Sequence, residues 1–166
     1  ACKICELAEK PETLVFAGAS KPMSRSLVTA EHVHGKTGLD GVDLPIPKMK
    51  ISSTHAVDFI VDSLMGSESK EITLCALGPL TNLALAIIQE PKIIPKINQI
   101  VLMGGGFFEG GNITPSAEFN IFVDPEAADI IVKSGVKIEE PADAGRYLGC
   151  EHERHSIEID VESPGS

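Results

Sequence analysis

The chain has 166 residues, of which 43% are hydrophobic, 4% are aromatic and none is Trp, and its formal net charge is −10. This length suits one domain with its own core rather than two full domains. A core built on Ile, Leu, Val and Ala favours a parallel sheet covered by helices. An acidic surface argues against nucleic acid and anionic membranes as partners and favours a neutral small molecule or a cation.

The first third of the chain combines short elements with a long irregular stretch. Apolar spacing predicts a helix within Ala1–Lys10, which Pro11 ends. Thr13–Ala17 is a short run of β-forming residues and predicts a buried strand. Ser20–Met49 is rich in Gly, Pro, His and Asp, and a loop this long inside a compact domain is usually functional or disordered.

Helix and strand signals alternate in the middle of the chain. Thr54–Met65 is predicted to be a helix capped by Thr54, and Ile72–Leu77 a second buried strand. A turn then leads into a helix over about Leu80–Ile88, with Pro79 at its first position, where the missing N–H costs nothing.

The same alternation continues to about residue 135. Ile97–Met103 predicts a third strand, which ends at the glycines that start with Gly104. Asp124 as N-cap, Pro125 at the first position and Gly135 just past the end define another helix. We therefore predict an α/β fold with a mainly parallel sheet and flanking helices.

The last part of the chain has a different character. Glu139–Ser166 is polar and lacks helical periodicity, although Ser156–Val161 alternates as an edge strand does. We predict a partial α/β domain over residues 1–138 and a divergent polar tail over 139–166.

The loop after the third predicted strand carries the candidate site. A vicinal pair of sugar hydroxyls is recognised by a carboxylate that accepts and by amides that donate and accept, and this loop offers Asn112, Glu118 and Asn120. If Ala117–Asn120 is extended, Glu118 and Asn120 project to one side and Phe119 points into the core. The alternative is that Glu118 and Asn120 are solvated loop residues.

Several blocks of the sequence, in order, resemble one known family, the inosine-uridine preferring nucleoside hydrolases. The resemblance covers roughly Ala1–Lys137. Its blocks are Ala17-Gly-Ala-Ser-Lys-Pro22, Val33-His-Gly-Lys-Thr-Gly-Leu-Asp-Gly41, Leu77-Gly-Pro-Leu-Thr-Asn82, the run from Met103-Gly-Gly-Gly through Gly111-Asn-Ile-Thr-Pro and Ala117-Glu-Phe-Asn, and Val123-Asp-Pro-Glu-Ala-Ala128.

The resemblance implies a Rossmann-like fold and an activity. That activity is the Ca²⁺-assisted hydrolysis of a ribonucleoside to ribose and free base. In this sequence it implies that Leu77 would ligate calcium through its main-chain carbonyl. It also implies a homo-oligomer. The residues that would bind the ribose or line its pocket are Asn112, Glu118, Asn120, Met103 and His34. For His34 the alternative is a loop histidine held by local hydrogen bonds.

The chain departs from the family pattern in two places. The family's aspartate cluster, with most calcium ligands and the general base, falls before the first residue of this chain, and the family's later His-Asp pair has no match. We therefore expect an internal fragment and assign no catalytic residue. Asp40 and Asp124 are interpreted as a turn residue and a helix cap. The alternative function is a non-catalytic homologue that acts as a binding or oligomerising piece.

Cysteine and histidine spacing leaves a third hypothesis open. A zinc- or redox-linked site built on Cys2, Cys5, Cys150, His152 and His155 would lack the usual paired ligand spacing. The simpler interpretation places Cys2 and Cys5 on a half-buried helix. No apolar run approaches the roughly 20 residues that cross a bilayer. The first residues do not resemble a secretory signal, so we expect a cytoplasmic protein.

Overall fold

The computed structural model describes residues 1–36, 38, 40–106, 110–141 and 156–159. Within them, β1 (Phe16–Ala17) pairs in parallel with β2 (Ser52–His55). A second sheet has the order β3-β4-β5-β6, in which β3, β4 and β5 are parallel and β6 is antiparallel. Its strands are β3 (Ile72–Ala76), β4 (Ile97–Leu102), β5 (Ile138–Pro141) and β6 (Ser156–Ile159). The predicted α/β fold with a mainly parallel sheet is confirmed.

Helices occupy most of the connections between strands. They are α1 (Cys2–Leu7), α2 (Glu31–His34), α3 (Ala56–Met65), α4 (Thr81–Gln89), α5 (Phe119–Val123) and α6 (Pro125–Lys133), with a 3₁₀ helix over Pro91–Lys96. Helix α4 packs against both α3 and α6. The core is one cluster in which buried side chains of these three helices meet those of β4 and β5. Its largest fully buried apolar members are Leu64, Ile93, Ile100, Ile131 and Ile138.

Two predicted helix starts are wrong by one or two residues. Thr54 lies in β2, and His55 caps α3 because its ring Nδ1 accepts the N–H of Val57 at 3.2 Å. Helix α4 begins at Thr81 with Leu80 as N-cap, so Pro79 precedes the cap. Leu80 is buried in the core cluster.

The start and end of α6 are as predicted. Pro125 is its first residue, and Asp124 is its N-cap, with Oδ1 accepting the N–H of Ala127 at 3.2 Å. Gly135, with φ of 75°, follows the C-cap Ser134 in the left-handed conformation that glycine adopts readily.

The first predicted strand is shorter and more exposed than expected. Strand β1 covers only Phe16–Ala17, and Leu14 is 71% exposed, so the prediction of a buried strand over Thr13–Ala17 is wrong. Phe16 instead stacks on Phe59 of α3, with ring centroids 3.9 Å apart. That stack is the apolar contact that holds this short strand against the helix.

The last two strands, β5 and β6, lie at and beyond the predicted boundary between the α/β domain and the polar tail. Strand β5 begins at Ile138 and continues to Pro141, and β6 lies within the stretch predicted as an edge strand. The register pairs Ile138 with Ile159. The boundary at residue 138 stays a prediction. No helix among the described residues is long and apolar enough to cross a membrane.

Candidate functional site

Residues 110–117 form a tight turn before α5. Gly110 has φ of 78°, and a Cβ on Gly111 would overlap the main chain of Ala117. The N–H of Gly111 donates to the carbonyl of Pro115 at 3.1 Å, and Ala117 N–H donates to Thr114 Oγ1 at 2.9 Å. This turn brings Asn112, the residue after Gly111, next to the start of α5.

Glu118 lies at the start of α5 with its carboxylate buried. It is 5% exposed, and its Oε2 accepts the N–H groups of Asn120 at 2.8 Å and Ile121 at 3.3 Å. Glu118 is therefore the N-cap of a short helix, and the acceptor satisfies donors that have no partner within the helix. The predicted extended run Ala117–Asn120 is wrong, because the chain turns helical at Phe119.

The burial of this segment also differs from the prediction. Phe119 is only half-buried, whereas Glu118 and Asn120 are the buried residues. Glu118 is buried because its carboxylate turns back to cap the helix, and Asn120 because its amide reaches the end of the sheet. The alternative of two solvated loop residues is likewise wrong.

Asn120 connects the helix to the end of the sheet. Its Nδ2 donates to the main-chain carbonyl of Met103 at 2.7 Å and lies 3.5 Å from the Met103 sulfur. The N–H of Met103 donates to the carbonyl of Ala76 at 2.8 Å. The position of Asn120 is therefore set by the carboxyl ends of β4 and β3.

Asn112 completes a hydrogen-bonded group with these residues. Its Oδ1 accepts the N–H of Phe119 at 2.7 Å, and its Nδ2 lies 3.5 Å from Glu118 Oε1. We call Met103, Asn112, Glu118 and Asn120 the Glu118 cluster. Four residues that the sequence assigned to ribose binding are thus brought together by the fold.

The two other predicted site residues have different positions. Leu77 follows Ala76, the residue whose carbonyl accepts from Met103, so its backbone lies next to the Glu118 cluster, while its side chain is 75% exposed. His34 is exposed in α2. In the part of the chain that the structure describes, no hydrogen bond joins His34 to the cluster.

The described residues contain few groups that could ligate a metal together. Ca²⁺ takes about six to eight oxygen ligands in proteins, and the described residues form no group of three or more His, Cys, Asp or Glu that could hold a metal ion. The resemblance implies one calcium ligand in this chain, the Leu77 carbonyl. The described residues do not by themselves fit a Ca²⁺ site.

Two of the residues named for a zinc site, Cys2 and Cys5, lie on α1. Cys2 and Cys5 are half-buried on α1, as the simpler interpretation expects. Cys150, His152 and His155 lie outside the described residues.

Asp124 has more partners than a helix cap needs. It is fully buried, and its Oδ2 accepts from Thr81 Oγ1 at 2.6 Å and from the N–H of Met23 at 3.0 Å. The structural role predicted for Asp124 is confirmed, but these two partners were not predicted. They are 43 and 101 residues away in the chain, and no local spacing signals such contacts.

Asp40 accepts the N–H of Lys36 at 3.0 Å, which is the local role predicted for it.

Comparison with known proteins gives consistent matches. Residues 1–158 match the family model described as inosine-uridine preferring nucleoside hydrolase. An uncharacterised protein of Schizosaccharomyces pombe is 50% identical over 138 residues, which are 83% of this chain and 44% of that protein. The pyrimidine-specific ribonucleoside hydrolase RihB of Escherichia coli is 50% identical over 124 residues, which are 75% of this chain and 39% of that protein.

A solved structure gives the same result for the fold. The purine-preferring ribonucleoside hydrolase from Gardnerella vaginalis superposes with a TM-score of 0.77 at 35% identity, over 82% of this chain and 44% of that one. The chain thus spans less than half the length of these relatives. Because the family model matches nearly the whole sequence, the chain belongs to the inosine-uridine preferring nucleoside hydrolase family.

Proposed function

We propose that this chain recognises the ribose hydroxyls of a ribonucleoside, as part of an N-ribohydrolase that converts a nucleoside and water to ribose and free base. One observation carries the proposal. The Glu118 carboxylate is buried, fixed by two main-chain N–H groups and placed beside the Asn112 amide. The family to which the chain belongs supports the reaction class.

The two carboxylate oxygens of Glu118 differ in their hydrogen bonds. Oε2 accepts two main-chain N–H groups and is thereby held in place. Among the described residues, Oε1 has a single long contact of 3.5 Å, with Asn112 Nδ2, so it keeps capacity to accept from a ligand. A sugar hydroxyl can donate to Oε1 and accept from the Asn112 amide, which matches the needs of a vicinal diol.

Hydrogen bonds to the main chain hold the two amides of the Glu118 cluster in place. Asn120 is held on the Met103 carbonyl, and Asn112 is held on the N–H of Phe119. Groups already fixed in position lose little conformational freedom on binding, so more of the interaction energy contributes to affinity. The net charge of −10 is compatible with a neutral nucleoside.

Calcium assistance and the hydrolytic step stay predictions from the resemblance. The described residues do not supply a Ca²⁺ ligand set, and no proton transfer is assigned to any of them. The proposal for this chain is therefore recognition of the sugar, with the hydrolase activity attributed to the whole protein.

Calorimetric titration tests the recognition. Ribose and an iminoribitol mimic are titrated into the wild type, Glu118→Gln and Glu90→Gln, with and without Ca²⁺. Glu90 is a matched control because it also caps a helix, accepting the N–H of Lys92 at 3.2 Å. We expect Glu118→Gln to weaken binding by roughly ten-fold, because a hydrogen bond to a charged acceptor becomes one to a neutral amide. Glu90→Gln should bind as the wild type does.

A turnover assay that measures the release of free base tests hydrolysis separately from recognition of the sugar. Uridine and inosine are both used, because the relatives include a pyrimidine-specific and a purine-preferring enzyme. The proposed sugar recognition is wrong if the wild type binds no ribose. It is also wrong if Glu118→Gln binds ribose with unchanged affinity. Release of base in Ca²⁺ buffer supports hydrolysis by this chain.

A second candidate is a non-catalytic piece that binds the sugar or oligomerises. It is favoured by the described residues' lack of a grouped carboxylate set for Ca²⁺. It predicts ribose binding without base release, whether or not Ca²⁺ is present. Analytical ultracentrifugation reports the oligomeric state, and the predicted homo-oligomer requires a mass above that of the 17.6 kDa chain.

A further inference from the structure

The carboxylate of Asp124 lies where three segments of the chain meet. Its Oδ2 accepts from Thr81 Oγ1 and from the N–H of Met23, and its Oδ1 accepts from the N–H of Ala127. The residue is fully buried, and every donor is within 3.2 Å. A helix cap needs only the Ala127 contact, so the other two require a different explanation.

Each of those segments follows a strand of the parallel sheets. Met23 belongs to the segment after β1, Thr81 is the first residue of α4 after β3, and Asp124 lies after β4 at the end of α5. A second bond joins the first two segments, because Asn82 Oδ1 accepts the N–H of Ala19 at 2.8 Å. Ligands of open parallel sheets bind at this carboxyl edge, where such segments emerge.

Helix α5 depends on contacts at both of its ends. Near its start, Asn120 is tied to the carbonyl of Met103, and at its end Asp124 is tied to Thr81. A five-residue helix is too short to be stable alone, so these anchors, together with the Glu118 cap and the bond from Phe119 to Asn112, set its position. Thr81 in turn opens the helix that comes directly after the turn containing Leu77.

We infer that Asp124, acting through Thr81, is a positioning residue that sets Asn120 and the Glu118 carboxylate relative to the Leu77 backbone. The inference about ligand binding rests on the proposed function, whereas the inference about geometry does not. Loss of the Thr81 donor leaves a buried carboxylate with fewer partners, and α5 shifts to compensate. A small displacement of binding groups weakens recognition even when every one of those groups is present.

The experiment compares two substitutions at Thr81. Thr81→Val removes the hydroxyl and keeps the shape, and Thr81→Ser keeps the hydroxyl. The matched control is Thr73→Val on β3, which removes the Oγ1 that accepts from Asn98 Nδ2 on the surface. Two-dimensional ¹H–¹⁵N spectra of the ligand-free protein record the Asn120 side-chain amide and the Leu77 main-chain amide. Ribose affinity is measured on the same samples.

We expect Thr81→Val to move both resonances and to weaken ribose binding roughly ten-fold. Thr81→Ser should restore both measurements, and Thr73→Val should change neither. A folded Thr81→Val protein with both resonances unmoved overturns the inference, as does failure of serine to restore them. If the valine variant does not fold, Thr81→Ala replaces it. If the wild type binds no ribose, the proposed function fails, while the resonances still decide the positioning role.

Discussion

The side-chain amide of Asn120 donates to the main-chain carbonyl of Met103 at 2.7 Å, and this bond fastens α5 to the end of β4. The N–H of Met103 is already paired with the carbonyl of Ala76 on β3. Both main-chain polar groups of Met103 are thus satisfied, one by the sheet and one by the site. The Glu118 cluster therefore takes its position from the ends of β3 and β4.

Changing Asn120 to Asp tests this fastening. The substitution replaces a donor with a carboxylate that faces a carbonyl oxygen in a buried position, so we expect a loss of about 2 kcal/mol or more in the free energy of unfolding. Asn98→Asp is the matched control, because the Asn98 amide bonds to Thr73 Oγ1 at the exposed surface. There we expect a change within about 0.5 kcal/mol. Urea unfolding followed by circular dichroism gives both values, and equal losses at the two positions would contradict the role of Asn120.

The turn before the Glu118 cluster is tested by Gly111→Ala. A Cβ at Gly111 would overlap the main chain of Ala117 and the carbonyl of Thr114, so the turn must open and Asn112 must move away from Phe119. We expect a loss of about 1–3 kcal/mol in the free energy of unfolding, as for other overpacked sites. Ribose affinity should fall as well.

Gly78→Ala is the control for this substitution. Apart from its two chain neighbours, no atom of the described residues lies within 4 Å of a Cβ at Gly78, and its φ is not in the left-handed region. We expect no loss of stability and unchanged ribose binding. The interpretation of the turn is wrong if alanine at Gly111 is tolerated as well as alanine at Gly78.

Periodicity and capping residues predicted the fold better than the details of the site. The positions of β3, β4 and α6 were predictable, because their signals are local: an apolar run, a proline at the first turn, a glycine past the end. The predicted burial of β3 is wrong, because Cys75 is exposed and no residue of the strand is fully buried. Residue type favours Thr54 as the cap of α3, but the next residue, His55, supplies the acceptor. An acceptor from a histidine ring is a rarer cap than a hydroxyl, and the sequence does not distinguish the two.

In the site, residue identity was predictable and conformation was not. Asn112, Glu118 and Asn120 were assigned from their chemistry and from the family resemblance, and the fold brings them together. Glu118 and Asn120 are two residues apart and would share one side of an extended run, but Glu118 caps a helix and its carboxylate is buried. The bonds of Asp124 to Thr81 and Met23 join distant parts of the chain, so only the folded structure reveals them.

The core cluster is tested by shortening Ile100 in β4. Ile100 is fully buried, so Ile100→Ala leaves a cavity, and we expect a loss of about 2–5 kcal/mol in the free energy of unfolding. Ile46 is 90% exposed, and Ile46→Ala should change that free energy by less than about 0.5 kcal/mol. Similar losses in the two variants would mean that the sheet does not pack as described.

The ion pair between Arg25 and Glu126 gives a prediction that depends on pH. Arg25 Nε donates to both carboxylate oxygens at 2.9 Å, beside the first turn of α6. The hydrogen bond from Arg25 lowers the pKa of Glu126 below its ordinary value of 4.5. The ionised carboxylate therefore stabilises the folded state above that value, and the contribution is lost as the pH falls through the folded-state pKa.

Arg25→Ala removes the cause of this shift. In an NMR titration we expect the pKa of Glu126 to rise toward 4.5 in the variant. The wild type should melt slightly above the variant at neutral pH, and the difference should vanish once Glu126 is protonated. Both side chains are about half exposed, so the difference should also shrink in high salt. A melting difference that persists in acid would show that Arg25 stabilises the chain by packing rather than by charge.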